Sequence, residues 1–173
     1  CDMCFLTKCP YVPPHEFNLD FPHLMLRYRA IEFKKGEIGL TTKELTKTDR
    51  NGKLLGAVSP LANWASDTSN SLTRGALEMT TKVHREAALP KFHKNSFVSL
   101  TEKHKPDVNE GAPAFGRKAV IYATCFVNYN NPDIGNSALS VLALNGVDTQ
   151  VAYPSCCGMP QLEGGDIKSV EEK

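Results

Sequence analysis

Ala119-Val-Ile-Tyr-Ala-Thr-Cys-Phe-Val-Asn-Tyr-Asn-Asn-Pro-Asp133, followed by Gly146-Val-Asp-Thr-Gln-Val-Ala-Tyr-Pro-Ser-Cys-Cys-Gly-Met-Pro160, is the part of the chain whose reading decides the fold. Ala119 to Thr124 is an apolar run with β-branched and aromatic residues, and it predicts a buried strand ending at Cys125. Cys125 to Pro132 has turn chemistry, with Asn128, Asn130 and Asn131 before the proline. Asp133 suits the cap of a helix that runs through Asn145 and is ended by Gly146, with Ile134, Ala138, Val141, Leu142 and Leu144 as its apolar stripe. Val147 to Tyr153 reads as a second strand, and Pro154 to Pro160 as a loop. Strand, helix and strand make a βαβ unit with a cysteine just past each strand's carboxyl end, where open α/β sheets place their ligands. Parallel neighbours bring both ends to one edge of the sheet, so Cys125 and the Cys156-Cys157 pair can meet. A bridge between adjacent cysteines would distort the peptide between them. Gly158 lets the backbone turn there without Cβ strain. The plainer alternative is that a cysteine at a strand end is simply a small hydrophobe.

The remaining thiols sharpen this. The six cysteines fall into two groups, Cys1, Cys4 and Cys9 at the start and Cys125, Cys156 and Cys157 toward the end. Disulfide frameworks spread their cysteines through chains too small to build a core, whereas 173 residues can bury one unaided. Clustered thiols instead converge on one point, as a metal or cluster requires. The first group reads Cys1-x2-Cys4-x4-Cys9-Pro10, close to the end of the bacterial ferredoxin run, whose last cysteine is followed by proline and ligates the other cluster of a pair. The Cys4 to Cys9 spacing is one residue longer than in that run. Zinc is the competing occupant of an isolated C-x2-C. A chain that opens at Cys1 inside such a motif reads as a piece of a longer protein; a lipidated N-terminal cysteine is the alternative.

Composition excludes other classes. Lys and Arg number 20 against 19 Asp and Glu, so the net charge of +1 leaves no electrostatic footprint for nucleic acid. No stretch approaches the roughly 18 apolar positions of a membrane-spanning helix, and there is no signal-peptide pattern. Gly164-Gly165 lacks the following Lys-Ser or Lys-Thr of a phosphate loop, and no cysteine stands in a hydrolase signature.

Tyr122-Ala-Thr-Cys125-Phe-Val-Asn-Tyr129, Leu144-Asn-Gly-Val147 and Ser155-Cys-Cys-Gly-Met-Pro160 together resemble the CCG cysteine-rich domain of heterodisulfide reductase-like iron-sulfur oxidoreductases. That family includes proteins similar to the iron-sulfur subunits of anaerobic glycerol-3-phosphate dehydrogenase and of glycolate oxidase. Cys1 to Pro10, continuing to Arg27, is similar to the end of the ferredoxin domain that precedes CCG domains in these proteins. The family's signature continues with a further C-x2-C and a second CCG repeat, which residues up to Lys173 do not reach.

The resemblance implies an α+β chain, with a helical ferredoxin-type N-terminal part followed by an α/β (βαβ) half of a CCG cysteine-rich domain. The expected boundaries are 1–102 for the ferredoxin-like part and its following helices, 103–117 for a linker, and 118–173 for the first part of the CCG domain. It implies 4Fe-4S clusters held by Cys1, Cys4, Cys9, Cys125, Cys156 and Cys157, with ligand sets incomplete within this chain and no catalytic residue assigned. The implied function is an electron-transfer subunit that takes electrons from a flavoprotein or other donor subunit and passes them to a quinone or a thiol/disulfide acceptor. A cytoplasmic setting, with peripheral membrane association, goes with it. The alternative from another class is a zinc-stabilised binding module without redox activity.

Asp20 to Lys35 reads as a helix, with Asp20 as N-cap, Pro22 in the first turn, and Phe21, Leu24, Met25, Tyr28 and Ile31 on one face. Arg27, Arg29, Lys34 and Lys35 make it basic, so it suits an anionic membrane surface, although packing on the ferredoxin core is the simpler expectation. Leu40 to Gly56 reads as polar with a turn at Asn51-Gly52, and Pro60 to Ser66 and Ser69 to Ala88 as two more helices, the first capped by Ser59. His15, His23, His84, His93 and His104 show no pairing at metal-ligand spacing. His15 and His23, near Cys9, suit a hydrogen bond to cluster sulfur or a plain surface role.

Overall fold

The computed structural model describes residues 6–173, and Asp20 starts the first helix that lies wholly within them. Its carboxylate accepts the His23 N–H at 3.2 Å, filling one of the donors that a helix start leaves open. The helix, α1 (Phe21–Lys35), ends at Gly36, whose φ of 79° lets its N–H return to the carbonyls of Glu32 and Phe33. Lys34 and Lys35 in the last turn complement the helix dipole. The chain divides into two compact units, one built from residues up to 46 together with 158–173 and the other from 47–157. Besides α1, the first unit holds α2 (Leu40–Leu45), α9 (Met159–Glu163) and α10 (Ile167–Glu171). Gly165, at φ +83°, lies so close to α1 that a Cβ there would stand 2.3 Å from the Arg29 carbonyl oxygen. Arg29 Nη1 in turn donates to the Glu163 carbonyl at 3.2 Å. The expected apolar face of α1 is not packed: Phe21, Leu24, Tyr28 and Ile31 are each 51–56% exposed.

The second unit holds α3 (Thr48–Ala57), α4 (Ser59–Ala65), α5 (Ser71–Thr81), α6 (Phe97–Lys103), β1 (Lys118–Tyr122), α7 (Cys125–Tyr129), α8 (Pro132–Leu144) and β2 (Asp148–Ala152). The strands pair in parallel, Lys118 opposite Asp148 through Tyr122 opposite Ala152, which makes the expected βαβ unit and an α+β chain. The Ala123 N–H donates to the Ala152 carbonyl at 2.9 Å and carries the pairing one residue further.

Several local expectations change, and each change has a tertiary cause. Asn51-Gly52 is not a turn but lies within α3. The Tyr129 ring sits where a Cβ of Gly52 would be, 2.3 Å from its Cδ2, so glycine here serves close approach and not chain reversal. Residues 125–129 are helical because the Thr124 hydroxyl caps them, accepting the Val127 N–H at 3.2 Å. Helix α8 starts two residues earlier than expected, with Pro132 in its first turn and Asn131, not Asp133, at the cap.

The buried face of α8 is also different: it is Gly135, Leu139 and Ala143, whereas Ile134, Val141 and Leu144 of the expected stripe are exposed. Phe97, which is fully buried, explains the rotation. Its ring occupies the space over Gly135, where a Cβ would lie 2.5 Å from Cζ. Phe97, Ala123 and Leu139 form the core of this unit, with Ile121, Val127, Val151 and Tyr153 packed against it. Helix α6, which carries Phe97, has no counterpart in the sequence reading. The helix expected over 69–88 stops at Thr81, after which Lys82 is left-handed. Beyond it, the buried guanidinium of Arg74 gathers the carbonyls of His84, Arg85 and Ala87 at 2.7–2.9 Å.

Candidate functional site

Parallel pairing of β1 and β2 puts the chain at the same edge of the sheet when each strand ends. Cys125 stands there as the first residue of α7, and Cys156 lies in the loop after β2. Their thiols are within hydrogen-bonding contact. Cys156 is buried at 1% exposure, Cys125 is half-buried, and Cys157 is exposed. The structure therefore brings together two of the three cysteines expected at this edge and turns the third outward. Cys9 is half-buried and belongs to the other unit, while Cys1 and Cys4 lie outside the described residues. Among the described residues, no three or more His, Cys, Asp or Glu side chains are arranged to hold a metal ion. His15 and His23 are taken up locally: the His15 ring accepts the Phe17 N–H at 3.1 Å, and His23 pairs with Asp20 at 2.5 Å.

Five residues to which sequence reasoning gave no site role surround the thiol pair. One Asp49 carboxylate oxygen accepts the Tyr153 hydroxyl at 2.5 Å, and the other accepts the Cys156 backbone N–H at 2.9 Å. Thr48, beside it in the first turn of α3, turns its buried hydroxyl to Cys125 and helps its thiolate form. Tyr122 donates to the Ser155 carbonyl, anchoring the loop one residue before Cys156. The Tyr129 and Tyr153 rings meet edge to face with centroids 5.7 Å apart. No spacing rule links residues 48 and 49 to cysteines more than seventy positions on, so only the β-strand tyrosines carried any sequence signal, as strand aromatics.

Burial, and next the neighbouring Cys156, push the Cys125 thiol above its ordinary range; the Thr48 hydroxyl pulls weakly the other way. Burial and the Asp49 carboxylate push Tyr153 up strongly as well, so it remains a hydroxyl donor to that carboxylate. Cys125 and Tyr153 thus hold their protons more tightly than usual beside the Asp49 carboxylate, whose charge a bound cation would offset. The sulfur donors are of the soft type that iron-sulfur clusters and zinc select. Cys125 and Cys156 fit such a group as part of its shell, with Cys157 adjacent in the chain.

Residues 119–173, which contain this site, match the family model of the cysteine-rich CCG domain. A component of anaerobic glycerol-3-phosphate dehydrogenase, from two strains of Escherichia coli, is 29% identical over 122 residues, covering 70% of this chain. The same alignment covers 29% of each relative, so the chain spans less than a third of their length. No solved structure matches the chain. Among the described residues, no helix is long and apolar enough to cross a membrane.

Proposed function

We propose that this chain carries part of a CCG-type domain and is an electron-transfer subunit of an oxidoreductase, and that Cys125 and Cys156, with Cys157, are thiolate ligands of an iron-sulfur cluster. The observation that carries the reading is the convergence of Cys125 and Cys156 at one sheet edge, inside the segment that matches the cysteine-rich family. When bound, the cluster supplies one-electron chemistry; the chain sets its burial, its ligands and the hydrogen bonds near its sulfur. Cys1, Cys4 and Cys9 are proposed as ligands in a ferredoxin-like part occupying 1–102, joined by 103–117 to the CCG part at 118–173. The donor is proposed to be a flavoprotein dehydrogenase subunit and the acceptor a quinone or a disulfide, in keeping with the similarity to a dehydrogenase subunit.

Anaerobic purification of the full-length protein, followed by iron and sulfide analysis and by spectroscopy of the reduced form, tests this. Iron with acid-labile sulfide is expected, with part of it lost on Cys156→Ser. A colourless protein holding stoichiometric zinc overturns the redox reading and establishes the zinc-stabilised module instead.

We further propose a cytoplasmic setting with peripheral membrane attachment through α1, whose exposed Phe21, Leu24, Tyr28 and Ile31 accompany Arg27, Arg29, Lys34 and Lys35. Co-sedimentation with vesicles rich in anionic lipid is expected to fall on Arg27→Glu with Arg29→Glu, and binding that ignores both changes counts against it.

A further inference from the structure

We propose that the first turn of α3 is a working part of the thiol site, with Asp49 as the positioning residue that fixes Cys156 for ligation. The inference rests on the thiol pair being a cluster site. Asp49 is placed for the task by geometry: its two oxygens take one donor from the entry to the loop that carries Cys156 and one from Cys156 itself. The Tyr153 hydroxyl lies at the end of β2 and the Cys156 N–H in the loop itself, at 2.5 and 2.9 Å. A carboxylate that holds both sets the path of the backbone between residues 153 and 156, and through it the direction of the buried Cys156 side chain. Tyr122, bound to the Ser155 carbonyl, braces the same segment from β1.

A second observation in the same turn points to the same site. The Thr48 hydroxyl oxygen is buried and lacks a hydrogen-bond partner of ordinary geometry, yet it bears on the Cys125 sulfur. A buried hydroxyl in that position is costly unless its hydrogen is used. A thiolate or a cluster sulfur at Cys125 would use it. Consecutive residues of one helical turn therefore address the two converging cysteines, one through the backbone and one through sulfur. Gly52, one turn along, admits the Tyr129 ring that seats this part of α3 beside α7.

Partners of this kind behind metal ligands are typically worth 10–100-fold in metal affinity. The test is an equilibrium chelator challenge of the anaerobically purified full-length protein, with retained iron measured for the wild type, Asp49→Ala, Asp49→Asn and Cys156→Ser. Far-UV circular dichroism checks that each variant is folded. Asp49→Ala is expected to lower iron affinity at this site 10–100-fold. Asp49→Asn keeps an acceptor for the Cys156 N–H and can reverse its bond with Tyr153, so it is expected to restore most of that affinity.

A folded Asp49→Ala protein that holds iron like the wild type, while Cys156→Ser does not, overturns the positioning role alone. Equal losses in Asp49→Ala and Asp49→Asn also overturn it, because the hydrogen bonds would not be the cause. Iron retention that Cys156→Ser leaves unchanged overturns the cluster site itself and this inference with it.

Discussion

Gly135 shows how much a single absent methyl group decides in this chain. The fully buried Phe97 ring fills the space a side chain would need, so Gly135→Ala must push the ring or α8 away. Overpacking of this kind costs about 1–3 kcal/mol, and a matching drop in denaturant midpoint is the expected result. The opposite change, Phe97→Ala, opens a cavity and should cost about 3–5 kcal/mol. Neither residue could be singled out from the sequence. The stripe of large residues in 134–144 is real, but the face that packs is the one with the smallest residues, because the partner brings the bulk. Arg74 makes a similar point with polarity. Its guanidinium satisfies three carbonyls from residues 84–87, so Arg74→Lys, whose ammonium is a compact point charge and not a planar fork, should fail to restore the stability lost in Arg74→Leu. Thermal melting of the two variants checks this.

At the scale of elements, the β-strands and α8 were legible because they announce themselves locally. A short apolar run, a helix period and Gly146 at φ +88° are properties of neighbours in sequence. The parallel pairing, and so the meeting of Cys125 with Cys156, follows from that order. Helix α3 and the start of α7 were not legible for the converse reason. Asn-Gly within α3 and Asn-Asn-Pro directly after α7 are turn signals, and only contact between Gly52 and Tyr129 and the Thr124 cap makes helix the better solution. Thr124→Ala removes the cap of the helix that begins at Cys125. A loss of about 1 kcal/mol is expected, read as a lower unfolding midpoint. The candidate site was legible as cysteines and illegible as a site, since the residues that orient those cysteines come from α3.

For the whole molecule, the clearest global expectation concerns pH. Cys125 and Tyr153 both have folded-state values raised above their unfolded ones, so at these two groups the folded state binds more protons than the unfolded state at alkaline pH. The stability these groups contribute is complete below their unfolded values, about 8.5 for a thiol and about 10 for a phenol, and declines as the pH rises past them. Metal-free protein should therefore melt at progressively lower temperature from about pH 8 to 10. Cys125→Ser should flatten the first part of that decline.

The division of the chain into units has a further consequence, for the order of events at the ribosome. The unit containing α1 draws on residues both before 47 and after 157, and the link is direct: Arg29 holds the Glu163 carbonyl, and Gly165 presses on the Arg29 backbone. Residues 47–157, which contain both converging cysteines, form a continuous stretch. During synthesis the stretch that holds the thiol pair is complete, and free to fold, before α1 has met its partner. Helix α1 must wait for its packing partner until the turn between α9 and α10 emerges.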